Sequence, residues 1–316
     1  MKKLLYKVRS APLKLVGLQA LIQRLSPSHP HFLDIQEEIR RRAAGFSGEG
    51  NFDRNISDFR PSYPYALLHD ICLKQNGVYF QMDSVLITPS YIIIFEIKNL
   101  AGKIIVKSNP TQFIHENVER KIIQSPITEL ERKEIFLRKW LQVRGIDIPI
   151  NGVVALAYTN ELTILETPDK PVVFTHDIPI LLYKTNLDKE ILRQNEIHNL
   201  ANEMIGMHDE YNPFPLVKTM DIIADDVLPG IICPNCSYRG MAWYRRKWNC
   251  KKCQYQASNS HRKLLEEWFM LLDNKITNRE FRNFSYLTDP DVAKRLLKNS
   301  GLIMKGQHRN AYYIEK

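Results

Sequence analysis

Cys233-Pro-Asn-Cys236 and Cys250-Lys-Lys-Cys253 are two Cys-x-x-Cys pairs separated by 13 residues, and no other feature constrains the fold as tightly. Each pair can close a tight knuckle around one ion, and four thiolates in tetrahedral geometry select zinc. Four protein ligands leave no open coordination position. One Zn²⁺ is therefore expected to be structural, stabilising a ribbon over residues 233–256 that is too small for a core of its own. The fifth cysteine, Cys72, reads as a buried thiol in a strand. With four of five cysteines gathered in one array, the chain is no secreted disulfide scaffold.

Charge divides the chain further. Residues 233–316 hold 17 basic and 7 acidic side chains, residues 1–48 hold 9 and 3, and the stretch between has a balance of −7. Two basic ends around an acidic middle suit a polyanionic partner, nucleic acid above all. Lys7, Arg9 and Lys14 interrupt the apolar runs of the N-terminus before they reach signal-peptide length. No stretch approaches the ~20 apolar residues of a membrane span, so a cytoplasmic location is expected. A chain of 316 residues exceeds one compact core. The domains expected are a basic helical N-terminal segment (1–44), an α/β domain (45–207), a linker rich in proline and acids (208–232), the ribbon (233–256) and a helical domain ending in a hairpin (257–316).

Periodicity predicts helices over 12–25 and 32–46, the latter stopping at Gly45, and a further helix with Glu49 in its first turn. ALLHDICL (66–73) reads as a strand, Asn76-Gly77 as a hairpin turn, and VYFQMDSVLIT as the returning strand. YIIIFEIKN is a third, buried strand and KIIVK a fourth. A long helix should open at Ser125-Pro126, with Pro126 where a missing N–H costs nothing. Strands over 151–160 and 171–175 and a polar-faced helix, DKEILRQNEIHNLANEMI, complete this region.

Chemistry concentrates in Gln81-Met82-Asp83 and Phe95-Glu96-Ile97-Lys98. Residues i and i+2 of a strand share a face, so Glu96 and Lys98 project together, and a neighbouring antiparallel strand can set Asp83 beside them. Buried charge needs a partner or a metal. Asp83 and Glu96 offer the hard oxygens Mg²⁺ takes, and Lys98 a positioned cation for an attacking water or a phosphate oxygen. A plain surface hairpin with a Glu–Lys pair is the alternative on these residue types alone.

Asp83 followed by Glu96-Ile97-Lys98 resembles the Asp…Glu-x-Lys core of the PD-(D/E)XK nuclease superfamily, and more narrowly its nuclease-related domain, the NERD family. The similar run includes Gly48-Glu49, Leu68-His69-Asp70, Gln81-Met82-Asp83, Ile93 to Asn99, Gly102, Asn109-Pro110 and Gln124, within residues 45–180. The resemblance implies a restriction-endonuclease-like mixed sheet flanked by helices. It makes Asp83 and Glu96 ligands of Mg²⁺ or Mn²⁺, Lys98 the catalytic lysine, Glu49 an acidic helper and further ligand, and Gln81 and Gln124 residues lining the site. Ser84 departs from the family, which often has His there. Glu49 could instead serve only a helix terminus, and Gln124 only a cap.

The ribbon interleaves Arg239, Arg245, Arg246, Lys247, Lys251 and Lys252 with Tyr238, Trp243, Tyr244 and Trp248, a pattern suited to phosphate contact and base stacking. At least one of the tryptophans should pack the ribbon core. Beyond it, Thr277-Asn-Arg-Glu280 is a capping box, and Thr288-Asp-Pro-Asp291 opens a helix that buries Val292, Leu296 and Leu297 and exposes Lys294, Arg295 and Lys298. With a closing hairpin carrying Lys305, His308 and Arg309, this resembles the winged helix-turn-helix class, which implies a helix in the major groove and a wing on phosphates. A helical protein-interaction module is the alternative. The sequence reading is a metal-dependent DNA endonuclease with a zinc ribbon and winged helix that hold nucleic acid, or else a nuclease fold that binds DNA without cutting it.

Overall fold

The computed structural model describes residues 5–108, 110–187 and 189–316. Asn109 and the side chain of Arg309, both named above, lie outside the described residues. In chain order the elements begin β1 (Leu5–Lys7), α1 (Leu13–Ile22), α2 (Phe32–Ile56), β2 (Ala66–Gln75), β3 (Val78–Ile87), β4 (Ile92–Lys98), β5 (Lys103–Ser108), β6 (Thr111–Glu116) and β7 (Arg120–Ile123). Then come α3 (Pro126–Gln142), β8 (Ile150–Leu156), β9 (Glu161–Ile164), β10 (Val172–Phe174), α4 (Ile178–Lys184), α5 (Gln194–Gly206) and α6 (Leu216–Thr219). The last are β11 (Ala242–Tyr244), β12 (Lys247–Asn249), β13 (Gln256–Ala257), α7 (His261–Leu271), β14 (Ile276–Thr277), α8 (Asn278–Ser285), α9 (Pro290–Lys298), β15 (Ile303–Lys305) and β16 (Tyr312–Ile314). The chain forms two compact units, each assembled from two stretches: Met1–Ala11 with Arg42–Tyr211, and Pro12–Arg41 with Asn212–Lys316.

The first unit is built on a six-stranded mixed sheet in the order β1-β2-β3-β4-β8-β10. β2 and β3 form the expected hairpin, and Asn76 (φ 49°) and Gly77 (φ 81°) both take the left-handed conformation that a two-residue turn demands. β4 is central and almost wholly buried, antiparallel to β3 and parallel to β8. Alternate residues of β4 feed two cores on opposite faces of the sheet. Ile92 and Ile94 join Met82, Val154 and the α3 residues Ile127, Leu130 and Leu137; Ile93 and Phe95 join Val153 and the α2 residues Phe52 and Ile56. α3 begins at Pro126 as its sequence predicts.

The structure departs from the sequence expectation in several places. The N-terminal segment is not all helical: Leu5–Lys7 is a strand paired parallel to β2. The helix expected to stop at Gly45 runs unbroken from Phe32 to Ile56, so Glu49 sits in its interior and not in a first turn. Gly48 lets α2 approach the sheet, since a β-carbon there would lie 2.5 Å from Asn99 Cβ. KIIVK does not extend the first sheet. It belongs to a second, four-stranded sheet in the order β7-β6-β5-β9, of which β6, β7 and β9 were not foreseen. The polar-faced helix starts only at Gln194, and α4 before it was also missed.

In the second unit, Leu18 and Leu21 of α1 share one core with Leu264, Leu265, Phe269, Phe281 and Leu297. The residues expected as linker contribute to it through Leu216, Val217, Ile222, Val227 and Ile231. Arg24, fully buried, pairs with Glu267 and donates to the carbonyls of Leu228 (2.9 Å) and Gly230 (3.1 Å). β11, β12 and β13 form the antiparallel ribbon sheet, and β14-β16-β15 a second small sheet. The Thr277–Glu280 capping box is present on α8, and the Asp289 carboxylate accepts from the backbone N–H groups of Asp291 and Val292 at the head of α9. Ala293, and not Val292, is the fully buried residue of that first turn. Among the described residues no helix is long and apolar enough to cross a membrane.

Candidate active site

Pairing of Ser84 with Phe95 in the β3–β4 ladder leaves Asp83 and Glu96 abreast at its end. The Ile97 N–H donates to Asp83 Oδ2 at 2.7 Å, fixing that carboxylate on the neighbouring strand. Glu96 is 3% exposed and bonds Lys98, two residues on, at 2.9 Å. These three side chains therefore lie together at one end of the ladder. α3 adds two residues that sequence reading missed. Glu129 accepts from Lys98 Nζ at 2.7 Å. Lys133, four residues later on the same helical face, pairs with Glu96 and lies 3.7 Å from Asp83 Oδ1.

Electrostatics follow from burial and these partners. Burial pushes the Asp83 pKa up, and adjacent Glu96 pushes it further. Burial would raise Glu96 as well, but the ammonium groups of Lys133 and Lys98 outweigh it and hold Glu96 ionised, below the usual carboxylate value. Lys98 is shifted up despite its burial, because Glu96 and Glu129 face it; it is a fixed cation rather than a base.

A second cluster lies on the α2 side. Arg9, two residues past β1 and 3% exposed, donates to Asp53 (2.9 and 3.1 Å), Asp70 (2.6 Å) and Glu49 (3.2 Å). It also reaches the Asp83 carbonyl and Ser84 Oγ, both at 3.0 Å. Asp70 has φ 51° in mid-strand, and Lys7 donates to its carbonyl at 3.0 Å. A non-glycine residue held left-handed inside a strand is strained, and such strain collects at functional sites. Ser84 is buried against His69, Oγ to Nδ1 at 2.8 Å; burial lowers the His69 pKa to about 4, so the ring is neutral. Burial raises Glu49 to about 7 and Asp70 to about 6 even with Arg9 beside them.

Thus Asp83, Glu96 and Lys98 come together, while Glu49 is held by Arg9. Gln81 and Gln124 are exposed, and among the described residues neither hydrogen-bonds these carboxylates. Nor do Asp83, Glu96 and Glu49 form a gathered ligand trio: among the described residues only the four cysteines bring three or more metal-ligating atoms within 4.8 Å of one another. As a pair, Asp83 and Glu96 do fit a divalent ion in kind. They are adjacent and oxygen-bearing, Glu96 buried and Asp83 half-buried, Glu96 raises the cost of ionising Asp83, and a cation already answers that charge in the form of Lys133. Lys133 was legible only as one more base on a helix face. Arg9 gave no signal, because its strand was unrecognised.

The cysteine array is assembled as its spacing predicts. Cys233 and Cys253 Sγ are 3.6 Å apart and Cys236 and Cys250 Sγ 3.5 Å. A tetrahedral zinc with bonds of ~2.3 Å asks for sulfurs ~3.8 Å apart, so the cluster is compatible with a structural zinc. The two knuckles match: Ser237 (φ 56°) donates to Cys233 O and Gln254 (φ 60°) to Cys250 O. Trp248 is fully buried and fills the ribbon core. Arg245, Arg246, Lys247, Lys251, Lys252 and, on α9, Lys294, Arg295 and Lys298 are all exposed.

Residues 44–157 match the family model described as NERD, the nuclease-related domain, so β2, β3, β4 and β8 and the Asp83–Glu96–Lys98 cluster lie in a nuclease-related segment. No curated protein and no solved structure matches the chain.

Proposed function

We propose that the first unit is a Mg²⁺- or Mn²⁺-dependent endonuclease that hydrolyses DNA phosphodiester bonds, working in the cytoplasm, and that the second unit binds the nucleic acid. The observation that carries this reading is the convergence of Asp83, Glu96 and Lys98 at one end of the β3–β4 ladder, inside the nuclease-related segment. Asp83 and Glu96 would hold the divalent ion, which would supply Lewis-acid stabilisation of the phosphate and acidify a water. Lys98, kept protonated by Glu96 and Glu129, orients an attacking water or a phosphate oxygen. Lys133 leaves the two carboxylates to make room and then faces the negative charge of the substrate. Glu49, Gln81 and Gln124 are assigned supporting roles around the scissile group.

In the second unit, the order α7, β14, α8, α9 and then the β15–β16 hairpin supports a winged-helix reading. α9 enters a groove through Lys294, Arg295 and Lys298, and Arg309 on the wing meets phosphate. The basic ribbon residues Arg245, Arg246, Lys247, Lys251 and Lys252 extend the contact around one structural zinc.

A second reading, a nuclease fold that binds DNA without cutting, is favoured by one observation: Arg9 and Lys133 already stand against both carboxylate clusters. Cleavage of supercoiled, linear and single-stranded DNA with Mg²⁺ or Mn²⁺ separates the two. Cutting that is lost in Glu96→Ala and in EDTA is expected. No cutting on any substrate, with salt-sensitive binding retained, overturns the enzyme in favour of the binding protein.

A further inference from the structure

Where the ribbon hairpin, the start of α7 and the middle of α9 meet, a cavity of about 390 Å³ is lined by Arg246, Arg262, Arg295, Trp243, Asn259 and Asn299. All these residues belong to the second unit. No carboxylate lines the cavity, and among the described residues none of the three arginines makes an ion pair. All three arginines are exposed, and Arg262 Nη2 donates to the Asn299 carbonyl at 3.3 Å; three cations and no carboxylate on one wall give a local positive potential that suits an anionic ligand. The remaining titratable group on the wall, His261, adds no charge: burial and then Arg262 lower its pKa to about 4, and its Nδ1 accepts from Trp248 Nε1 at 3.2 Å.

The turn that delivers Arg246 is built against its own backbone preference. Arg245 (φ 49°) and Arg246 (φ 63°) are the two central residues between β11 and β12, and both are left-handed. Asn-Gly fills such a turn at least cost, as Asn76-Gly77 does in the first unit. Two arginines in that place are a local conflict of the kind found where side chains serve a ligand.

We propose that this cavity seats one unpaired nucleotide of a DNA strand, with its phosphate on the arginines and its base against Trp243. The volume far exceeds a phosphate and lies in the range of small-molecule sites. Trp243 offers an aromatic surface and is braced by buried Trp248, their rings edge-to-face with centroids 5.0 Å apart. Asn259 and Asn299 bring donors and acceptors for base edges. A base can enter such a cavity only when it is not stacked in a duplex, which selects single-stranded tails or junctions over blunt helices. The proposal rests on the second unit binding nucleic acid and adds the strand structure it prefers.

The test is fluorescence anisotropy with the full zinc-loaded chain in magnesium-free buffer, using a blunt duplex, the same duplex with a six-nucleotide tail, and a free hexathymidylate. Arg262→Gln is the variant of choice, because Arg262 is exposed and carries none of the groove or wing contacts proposed above. It should lower affinity for the tailed duplex and hexamer about tenfold, the size of one charged hydrogen bond. Its salt dependence should fall by about 0.7 in log–log slope. Blunt-duplex affinity should be unchanged. Equal affinity of Arg262→Gln and the parent for the tail, or an equal loss on blunt duplex, overturns the proposal. So does displacement of the hexamer by inorganic phosphate at concentrations matching the oligonucleotide's own affinity. Cutting activity is read separately: cleavage with an unaltered Arg262→Gln profile removes the cavity alone, and tail binding without cleavage removes only the nuclease.

Discussion

Arg9→Met removes the one guanidinium around which Glu49, Asp53 and Asp70 are arranged, leaving three partly buried carboxylates with only the Lys7 ammonium near Asp70 to answer them. Taking one partner out of a buried ion pair costs about 3–5 kcal/mol. The carboxylates retain 17–25% of their exposure, which places the loss near the lower end, at about 3 kcal/mol when all are charged. Protonation offers relief. Glu49 and Asp70 already stand at about 7 and 6 with Arg9 present, and without it both rise. At pH 8 Asp70 is largely ionised and Glu49 partly so, and most of that loss is expected. At pH 5 they are largely neutral, and the loss should shrink to about 1 kcal/mol, the scale of the hydrogen bonds forgone. The variant's stability should therefore fall more steeply than the parent's as pH rises from 5 to 8. Urea titration at the two pH values, read by hydrogen exchange of peptides spanning β2 to β4, measures this within the first unit. Arg9→Met with Asp70→Asn should lose less than the two single losses summed, because they share the contact. A loss below about 1 kcal/mol at pH 8, or an equal loss at both pH values, would refute the reasoning.

Three further outcomes are expected. Cys250→Ser should lose about one equivalent of bound zinc by elemental analysis and red-shift the emission of Trp248, now fully buried, while the first unit keeps its exchange protection. Burial raises the Glu49 pKa from an ordinary 4.5 to about 7, so the native state holds a proton that the unfolded chain gives up. Stability of the magnesium-free protein should consequently decline by roughly 2–3 kcal/mol between about pH 4.5 and 7, and calorimetry should find that decline reduced in Glu49→Gln. Gly48→Ala places a β-carbon 2.5 Å from Asn99 Cβ and should destabilise by about 1–3 kcal/mol. Gly45→Ala and Gly50→Ala, which meet open space on the same helix, should stabilise by up to about 1 kcal/mol in the same denaturation assay.

What could be read from sequence was what local chemistry determines. Asn76-Gly77, Pro126 and the Thr277–Glu280 box each encode a backbone geometry within a few residues, and each is found where its chemistry requires. The cysteine spacing is a local rule of the same kind. The Asp83–Glu96–Lys98 cluster was legible because strand alternation fixes faces and one hairpin fixes the neighbour. Failures occurred where distant residues decide. Three glycines in α2 argue for a stop, yet the helix persists because one of them allows close packing against Asn99 and Ala157. β7 is exposed and charged, with no alternation to reveal it, and is a strand only because β6 pairs with it. Arg9 reaches Asp70 across 61 residues and Lys133 reaches Glu96 across 37, separations that no periodicity reports.

The two-stretch construction of each unit sets an order of events during synthesis. Residues 12–41 are translated early, but Leu18, Leu21 and Arg24 share their core and ion pair with residues of α7 that emerge from the ribosome more than 200 residues later. At the ~5–20 residues per second of translation, α1 waits for tens of seconds or less with its apolar face uncovered. The Arg42–Tyr211 stretch has by then been completed and can fold with Met1–Ala11 alone. Emergence of α7 is thus the step that lets the second unit begin to close. A fragment expressed from Asn212 onward would lack α1 and Arg24, leave Glu267 buried without its guanidinium, and be a poor substitute for the unit it is meant to represent.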